Sequence, residues 1–399
     1  MYDTSYRRLW FAGIFWYMNR MMEVTILSWL VLELTDSPFQ VAMVGISRMS
    51  PMFILGLVAG SIADKFPKKR TMVQLQLFNI LVTSITFFMI TFGDIQPIHI
   101  FISTFCLGSS WSLDFATRRS FFAGLFEEDK LSNAVSLDVA LLFGSLLLGP
   151  MFSGALIRLS GFPLAYGMIL LFYLLALLIL SRVPKSINDT KNNSDIPIAK
   201  QLFEAIHMIT SNRSLWSALT VTVALNFFGF PYLQMVPVIA RDVLNANAFW
   251  YGVLVSSAGL GSLIASLLIA AKEIEKKHVV YSLGATLMLF AVLIFSLSNT
   301  YILSLGALIL AGVGMSGFAT MQPTIALQSV NKDMQGRSMG AIALGIGAAP
   351  PGMWVLGQAS EYVGPQSALT IFAISGIILI TILRFTLPEL RNKERLKKS

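Results

Sequence analysis

Long apolar runs dominate the sequence and constrain the fold more than any other feature. About twelve of them could cross a bilayer as a helix, because a hydrocarbon core of about 30 Å needs roughly 20 apolar residues. Charged residues make up 13% of the chain and hydrophobic residues 55%, whereas a soluble protein has about 25% charged residues. Backbone polar groups must be paired inside the bilayer, which favours helices. The sequence therefore predicts an all-α membrane protein with about twelve transmembrane helices, here called spans 1 to 12, centred near residues 21, 51, 82, 107, 146, 173, 227, 260, 288, 314, 349 and 377.

The basic residues indicate how the spans are oriented. With the start of the chain inside, the cytoplasmic segments hold all but four of the 29 Lys and Arg residues, and such a bias marks the cytoplasmic side. The opposite connections, such as residues 93–97 and 244–248, contain no Lys or Arg. We therefore expect both termini in the cytoplasm and assign the net charge of +8 to orientation, not to nucleic-acid binding. The four exceptions are Arg20, Arg48, Arg158 and Arg241.

Residue types that carry catalysis or bind metals are sparse and scattered. The single cysteine, Cys106, excludes an internal disulfide, and the three histidines lie in separate segments, so we expect no metal-ligand cluster. No phosphate loop of the form G-x-x-x-x-G-K-[ST] occurs. The stretch from Gly312 to Gly317 matches a dinucleotide fingerprint, but it lies in an apolar run and favours close helix packing. The sequence predicts neither an enzyme nor a bound cofactor or metal ion.

A weak internal repeat divides the chain into two halves. YRRLW at residues 6–10 precedes span 1 and resembles RSLW at residues 213–216 before span 7. We expect an N-terminal six-helix bundle in residues 1–184, a cytoplasmic linker in 185–213, and a C-terminal six-helix bundle with a cytoplasmic tail in 214–399. Parallel six-helix repeats are typical of secondary transporters, which rock one half against the other around a central site.

The connection between spans 2 and 3, GSIADKFPKKR at residues 60–70, resembles the loop signature of the major facilitator superfamily. The signature reads Gly-x-x-x-Asp-Arg/Lys-x-Gly/Pro-Arg/Lys-Arg/Lys. Residues 29–43, 117–137 and 335–340 further resemble the branch of drug, macrolide and siderophore exporters. The resemblance covers the whole chain and implies two six-helix bundles that transport small molecules.

The resemblance also implies a gate between the halves. Asp64 is expected to meet the start of span 11, where free backbone N–H groups favour an anion, and Asp114 is expected to accept hydrogen bonds from the basic end of the loop. The residues assigned to the gate are Gly60, Asp64, Lys65, Lys68, Lys69, Asp114, Arg118, Gly336, Arg337 and Gly340.

Span 5 carries a second resemblance. Gly149, Pro150 and Gly154 are similar to the antiporter motif G-x-x-x-G-P-x-x-G-G of drug exporters, with Ser145 and Ser153 in place of two glycines. Asp138, placed about one turn into this helix, suits the positive end of the helix dipole.

Arg20, Glu23 and Arg48 fall near the middle of spans 1 and 2, where a charge costs several kcal/mol unless it is paired or hydrated. In one interpretation Glu23 binds and releases the transported proton, with desolvation and the neighbouring arginines acting on its pKa in opposite senses. In another, Glu23 forms a permanent ion pair with Arg20 or Arg48 that joins the two spans. Direct contact with the substrate is the third interpretation.

Aromatic, methionine and amide side chains within the spans suit a cavity for an amphipathic organic molecule. For any single aromatic residue, contact with lipid or with a neighbouring helix is the competing explanation. The cavity candidates are Trp16, Tyr17, Asn19, Trp111, Asn226, Phe227, Phe230, Tyr232, Gln234, Met315, Met321 and Gln322. Pro231, Pro237, Pro323 and the pair at 350–351 are expected to interrupt spans 7, 10 and 11.

Together these features predict a monomeric exporter of amphipathic small molecules, such as drugs or a siderophore, in the bacterial inner membrane. Its partners would be the substrate, protons and the lipid bilayer. An importer, a facilitator without proton coupling, and a lipid-moving protein of the same fold remain as alternatives.

Overall fold

A computed structural model describes residues 4–125, 128–183, 211–271, 274–330 and 334–390. These residues are helical with short connections, and no strand occurs among them. The all-α class is confirmed. The described helices also account for all twelve predicted spans, although several spans are not single unbroken helices.

The first six spans form five helical elements. Gly161 interrupts the last of them with a φ of 75°, a left-handed conformation that glycine adopts without steric cost. It lies within the connection that the sequence predicts between spans 5 and 6. The elements are α1 (Thr4–Thr35), α2 (Pro38–Lys65), α3 (Lys68–Phe92), α4 (Pro97–Leu125) and α5 (Glu128–Ser181), and α5 contains spans 5 and 6.

In the second half, two spans are divided in the way their proline and glycine residues predict. Span 7 breaks between Phe228 and Tyr232, and span 11 breaks before Ala349. The expected interruptions at Pro237 in span 7 and at Pro323 in span 10 are wrong, because each helix continues through its proline. The elements are α6 (Arg213–Phe228) and α7 (Tyr232–Asp242) for span 7, α8 (Ala248–Ala270), α9 (Lys277–Leu297), α10 (Tyr301–Gln328), α11 (Gln335–Ile346) and α12 (Ala349–Val363) for span 11, and α13 (Pro365–Thr386).

Helix starts follow from local sequence. Ser37 caps span 2 by accepting a hydrogen bond from the backbone N–H of Gln40 at 3.1 Å, and Pro38 occupies the first helical position. Asn212 caps span 7 in the same way, through the N–H of Leu215. Such caps satisfy N–H groups that a helix terminus leaves unpaired.

Eight described helical stretches are apolar and long enough to cross a membrane by length and composition alone. Spans 1, 2 and 4 are not among them. These three spans carry buried charged side chains, namely Glu23, Arg48, Asp114 and Arg118. The surroundings of these buried charges bear on function.

The chain divides into two compact units. Among the described residues, the first unit contains 4–40, 47–183 and 246–256, and the second contains 41–46, 211–245 and 257–390. In the first unit a buried cluster joins spans 1, 3, 4 and 6 where span 1 begins. Its members are Tyr6, Leu9, Met72, Phe121, Leu180 and Val183.

Candidate functional site

A buried ion pair joins spans 1 and 2 of the first unit. Arg48 Nη1 lies 2.6 Å from Glu23 Oε2, and the two side chains are 9% and 0% exposed. A charge-assisted hydrogen bond of this length is among the stronger side-chain contacts. The second carboxylate oxygen, Glu23 Oε1, is buried and has no hydrogen-bond partner in the described part of the chain. The carboxylate is therefore only half satisfied.

Span 4 fixes the position of Arg48. A Cβ atom at Gly108 would collide with the carbonyl oxygen of Arg48, so only glycine allows the two backbones to approach this closely. Because the Arg48 backbone is held by span 4, its guanidinium group reaches Glu23 from a defined position.

Arg20, one turn before Glu23 on span 1, has a different partner. Its guanidinium carbon lies 3.5 Å from the centroid of the Trp111 ring, a cation–π contact. No carboxylate among the described residues forms an ion pair with Arg20. The sequence left Arg20 and Arg48 as possible ion-pair partners of Glu23, and in the structure the partner is Arg48.

Two further polar groups at this level lack partners. Asn19 is fully buried, and neither polar atom of its side chain makes a hydrogen bond to a described residue. The indole nitrogen of Trp111 is likewise buried, and no acceptor for it occurs in the part of the chain that the structure describes. Buried polar groups are normally hydrogen-bonded, and exceptions call for an explanation. We call Asn19, Arg20, Glu23, Arg48 and Trp111 the Glu23 cluster.

Nearer the start of span 1, a second charged group connects spans 1, 4 and 5. Arg118 Nε lies 3.1 Å from Asp138 Oδ1, and Arg118 Nη2 donates to the carbonyl oxygen of Leu9 at 3.1 Å. The hydroxyl of Tyr17 donates to Asp138 Oδ2 at 2.7 Å. Trp16 packs edge-on against Tyr17. Trp16 and Tyr17, the two aromatic cavity candidates of span 1, therefore lie at this second charged group.

The sequence interpretation of Asp138 is wrong. Span 5 begins at Glu128, so Asp138 lies well inside the helix, beyond the first turn over which the dipole acts. Its charge is met by Arg118, which is 3% exposed and not part of a solvated loop. Asp114, on the same helix as Arg118, is also buried.

The second unit holds a chain of neutral hydrogen bonds. The side-chain N–H of Gln322 donates to Thr222 Oγ1 at 2.9 Å, and Thr222 Oγ1 lies 2.8 Å from the hydroxyl of Tyr281. Asn226 donates to the carbonyl oxygen of Thr222 at 2.9 Å. Tyr281 stacks on Phe318 at 5.0 Å. Sequence reasoning identified Asn226 and Gln322 but missed Thr222 and Tyr281, because isolated hydroxyl side chains in an apolar span give no distinct signal.

The other cavity candidates of this unit lie in varied surroundings. Phe227 stacks on Phe372, and Phe230 contacts Phe318. Tyr232 is 1% exposed. Gln234 is buried with Oε1 unpaired among the described residues. Met321 is buried, and Met315 is partly exposed.

The segment of span 5 that resembles the antiporter motif, around Gly149 and Gly154, is a helix-packing surface within the first unit. A Cβ at Gly149 would meet Met21 of span 1, and one at Gly154 would meet the carbonyl oxygen of Ala248 in span 8. The backbone N–H of Met151 donates to Ser256 Oγ at 3.0 Å. Small residues here allow close contact between backbones.

Much of the expected gate lies outside the described side chains, including those of Gly60, Asp64, Lys65, Gly336 and Arg337. Lys69 donates from Nζ to the carbonyl oxygen of Ser181 at 3.0 Å. Lys68 is partly exposed, and Gly340 has open space around its Cα. The gate therefore stays a prediction.

The family follows from comparison with known sequences. A profile described as "Transmembrane secretion effector" matches residues 1–398. The chain belongs to this family. The expected major facilitator membership is confirmed, so the protein is a multi-pass membrane transporter and not an enzyme.

Individual relatives agree with this assignment. The chain is 23% identical over 375 residues to the Staphyloferrin A transporter of Staphylococcus aureus, and the aligned region covers 92% of each protein. A POT family transporter solved with 5-aminolevulinic acid has a TM-score of 0.77 at 10% identity, covering 97% of this chain and 96% of the other. A bacterial homolog of the human lysosomal transporter Spinster, in an inward-facing and unoccupied conformation, has a TM-score of 0.68 at 12% identity, covering 98% and 97%. At these identities the solved structures support the fold alone.

Proposed function

We propose that this transporter exports amphipathic small molecules of the drug or siderophore type in exchange for protons. It would act as a monomer by alternating access in the bacterial inner membrane, with both termini in the cytoplasm and residues 1–184 and 214–399 as its two bundles. The observation that carries the proposal is Glu23, a fully buried carboxylate that forms one ion pair and whose second oxygen has no hydrogen-bond partner among the described residues.

Protonation would change the contacts of Glu23. An ionised Glu23 attracts Arg48 through a desolvated contact of 2.6 Å. A proton on the carboxyl group removes that attraction and supplies a donor where an acceptor had been. Because breaking a buried pair leaves the remaining charge uncompensated, Arg48 then needs another partner or water. A proton and a conformation that hydrates Arg48 would thus favour each other.

The groups that face Glu23 are mixed in charge and polarity. Arg48 faces it from span 2 and Arg20 from its own helix. From span 6, the buried Tyr166 and Tyr173 interact with it electrostatically. Within the described residues Glu23 is therefore the only carboxylate of the Glu23 cluster and the group suited to carry its proton.

Two other findings support export of small organic molecules. The related Staphyloferrin A transporter is named for a siderophore, and the span 5 segment resembles an antiporter motif. We expect the Glu23 cluster and the amides Asn226, Gln234 and Gln322 to contact substrate. Polar side chains inside apolar spans are costly unless they are paired, hydrated or bound to a ligand.

Transport in proteoliposomes tests the proposal. The purified chain would be reconstituted and given ethidium, erythromycin or staphyloferrin A, with a pH gradient of either sign or none. We expect gradient-driven accumulation of at least one probe by wild-type protein and its loss in Glu23→Gln. Glu33→Gln is the matched control, since Glu33 lies on the same span, is exposed and accepts from Trp29 Nε1.

The alternatives give different results. Equal accumulation with and without the gradient would indicate a facilitator, and uptake driven together with protons would indicate an importer. Movement of a labelled phospholipid between leaflets, with no flux of the three probes, would indicate a lipid transporter. Gradient-driven export that survives Glu23→Gln would contradict the role of Glu23.

A further inference from the structure

The Glu23 cluster carries more positive than negative charge. It contains two guanidinium groups and one carboxylate, and that carboxylate is paired with Arg48. The remaining cation, Arg20, forms no ion pair with a described carboxylate, and its guanidinium carbon lies 3.5 Å from the centroid of the Trp111 ring. A cation–π contact offsets part of the cost of a charge inside a membrane protein but does not neutralise it.

Arg20 is also accessible. Its side chain is partly exposed, whereas Asn19 and Glu23 on the same span are fully buried. Span 1 crosses the hydrocarbon core at this level, and an exposed cation facing lipid would be unfavourable. The exposed part of Arg20 therefore suits a space that water and solutes can enter.

Two neutral donors of the Glu23 cluster lack acceptors among the described residues. Trp111 Nε1–H and the Asn19 amide N–H₂ are both buried and unpartnered among the described residues. A planar guanidinium group binds a carboxylate through two parallel hydrogen bonds, and an indole N–H can add another donor. The arrangement has unused donors and a surplus of positive charge, which are the features an anionic ligand requires.

An apolar surface lies next to these donors. The rings of Trp111 and Phe115 are 5.2 Å apart on successive turns of span 4. A ligand whose anionic group reaches Arg20 would therefore place its carbon skeleton near aromatic side chains, which pack well against apolar surface.

The geometry points to Arg20 and Trp111 as the subsite that binds a carboxylate group of the transported molecule. The substrate class is thus an amphipathic organic acid. This inference rests on the proposed function, because it assumes that the Glu23 cluster faces the transported molecule. It assigns the two arginines separate tasks, with Arg48 bound to Glu23 and Arg20 bound to substrate.

Binding of acid and ester pairs tests the subsite. The full chain in lipid nanodiscs would be titrated into fluorescein and fluorescein methyl ester, followed by anisotropy, and into 1-pyrenebutyric acid and its methyl ester, followed by fluorescence. Each ester keeps the carbon skeleton of its acid and lacks the carboxylate. We expect wild-type protein to bind at least one acid tenfold or more tightly than its ester.

Variants separate the contributions of the two side chains. Arg20→Gln should weaken acid binding tenfold or more while ester binding changes less than twofold. Arg20→Lys should lie between the two, since it keeps the charge but loses the bidentate geometry. Trp111→Phe keeps an aromatic ring but removes the N–H and should weaken acid binding several-fold. Arg158→Gln, at an exposed position on span 5, is the control and should bind as wild type does.

Three results would overturn the inference: no preference for the acid in either pair, an equal loss of acid and ester binding in Arg20→Gln, or wild-type acid binding in that variant. Size-exclusion profiles of each variant distinguish misfolding from a loss of binding. If Arg20→Gln does not fold, the acid and ester affinities of Arg20→Lys provide the test instead. The failure of the proposed function is separate, because proton coupling is measured with Glu23→Gln. Acid selectivity could fail while proton-driven transport persists, and the reverse also holds.

Discussion

The Glu23–Arg48 pair predicts a specific pattern of stabilities when its members are replaced singly and together. Removing one partner of a buried ion pair costs about 3–5 kcal/mol, because the other charge is left uncompensated. A Glu23 left without Arg48 can take up a proton and become neutral, whereas an Arg48 left without Glu23 stays charged. We therefore expect Glu23→Gln, which leaves Arg48 unpaired, to cost about 3–5 kcal/mol and Arg48→Met to cost less.

The double variant should recover much of this loss. With both charges gone, no uncompensated charge remains, and replacement of a buried pair by neutral side chains is often close to neutral. A coupling energy of about 2–3 kcal/mol is expected from the double-mutant cycle. Unfolding by SDS in mixed micelles, followed by circular dichroism, measures the four free energies. Strict additivity of the two single changes would refute the direct pairing.

Three further substitutions test other contacts of the structure. Gly108→Ala should destabilise the protein by about 1–3 kcal/mol through overpacking against Arg48. The control Gly144→Ala, whose added Cβ would meet no described atom within 4 Å, should be neutral or stabilising by up to about 1 kcal/mol. Equal effects of the two substitutions in SDS unfolding would argue against the close approach of spans 2 and 4. Tyr281→Phe should cost about 1–3 kcal/mol, since it removes the hydroxyl that bonds Thr222 and the Ala218 carbonyl oxygen, and a wild-type midpoint would speak against that network. Tyr17→Phe should cost a similar amount, about 1–3 kcal/mol, by leaving one oxygen of Asp138 without its donor, and an unchanged midpoint would show that this bond contributes nothing.

The sequence identified the features that depend on local chemistry. Apolar runs predicted the spans, and Gly161 falls in the connection predicted between spans 5 and 6. A carboxylate and an arginine within one apolar run predicted that Glu23 and Arg20 need partners. These inferences succeed because the bilayer penalises each exposed polar group strongly, whatever the tertiary structure.

The sequence could not choose between partners that depend on helix packing. Arg20 and Arg48 were both possible partners for Glu23, and the choice depends on the close approach of spans 2 and 4 at Gly108. Asp138 was assigned to a helix terminus because its helix was expected to begin later than Glu128. The Thr222 network combines ordinary polar residues from spans 7, 9 and 10, which only tertiary structure brings together.

Proton movement during substrate transport is the most direct test of the central claim. Vesicles that contain the reconstituted transporter and the pH dye pyranine would receive the probe that wild-type protein transports, with no imposed gradient. We expect substrate flux to move protons in the opposite direction, and we expect Glu23→Gln to abolish this proton signal while Glu33→Gln retains it. A proton signal of wild-type size in Glu23→Gln, with substrate flux maintained, would contradict the assignment of Glu23 as the coupling carboxylate.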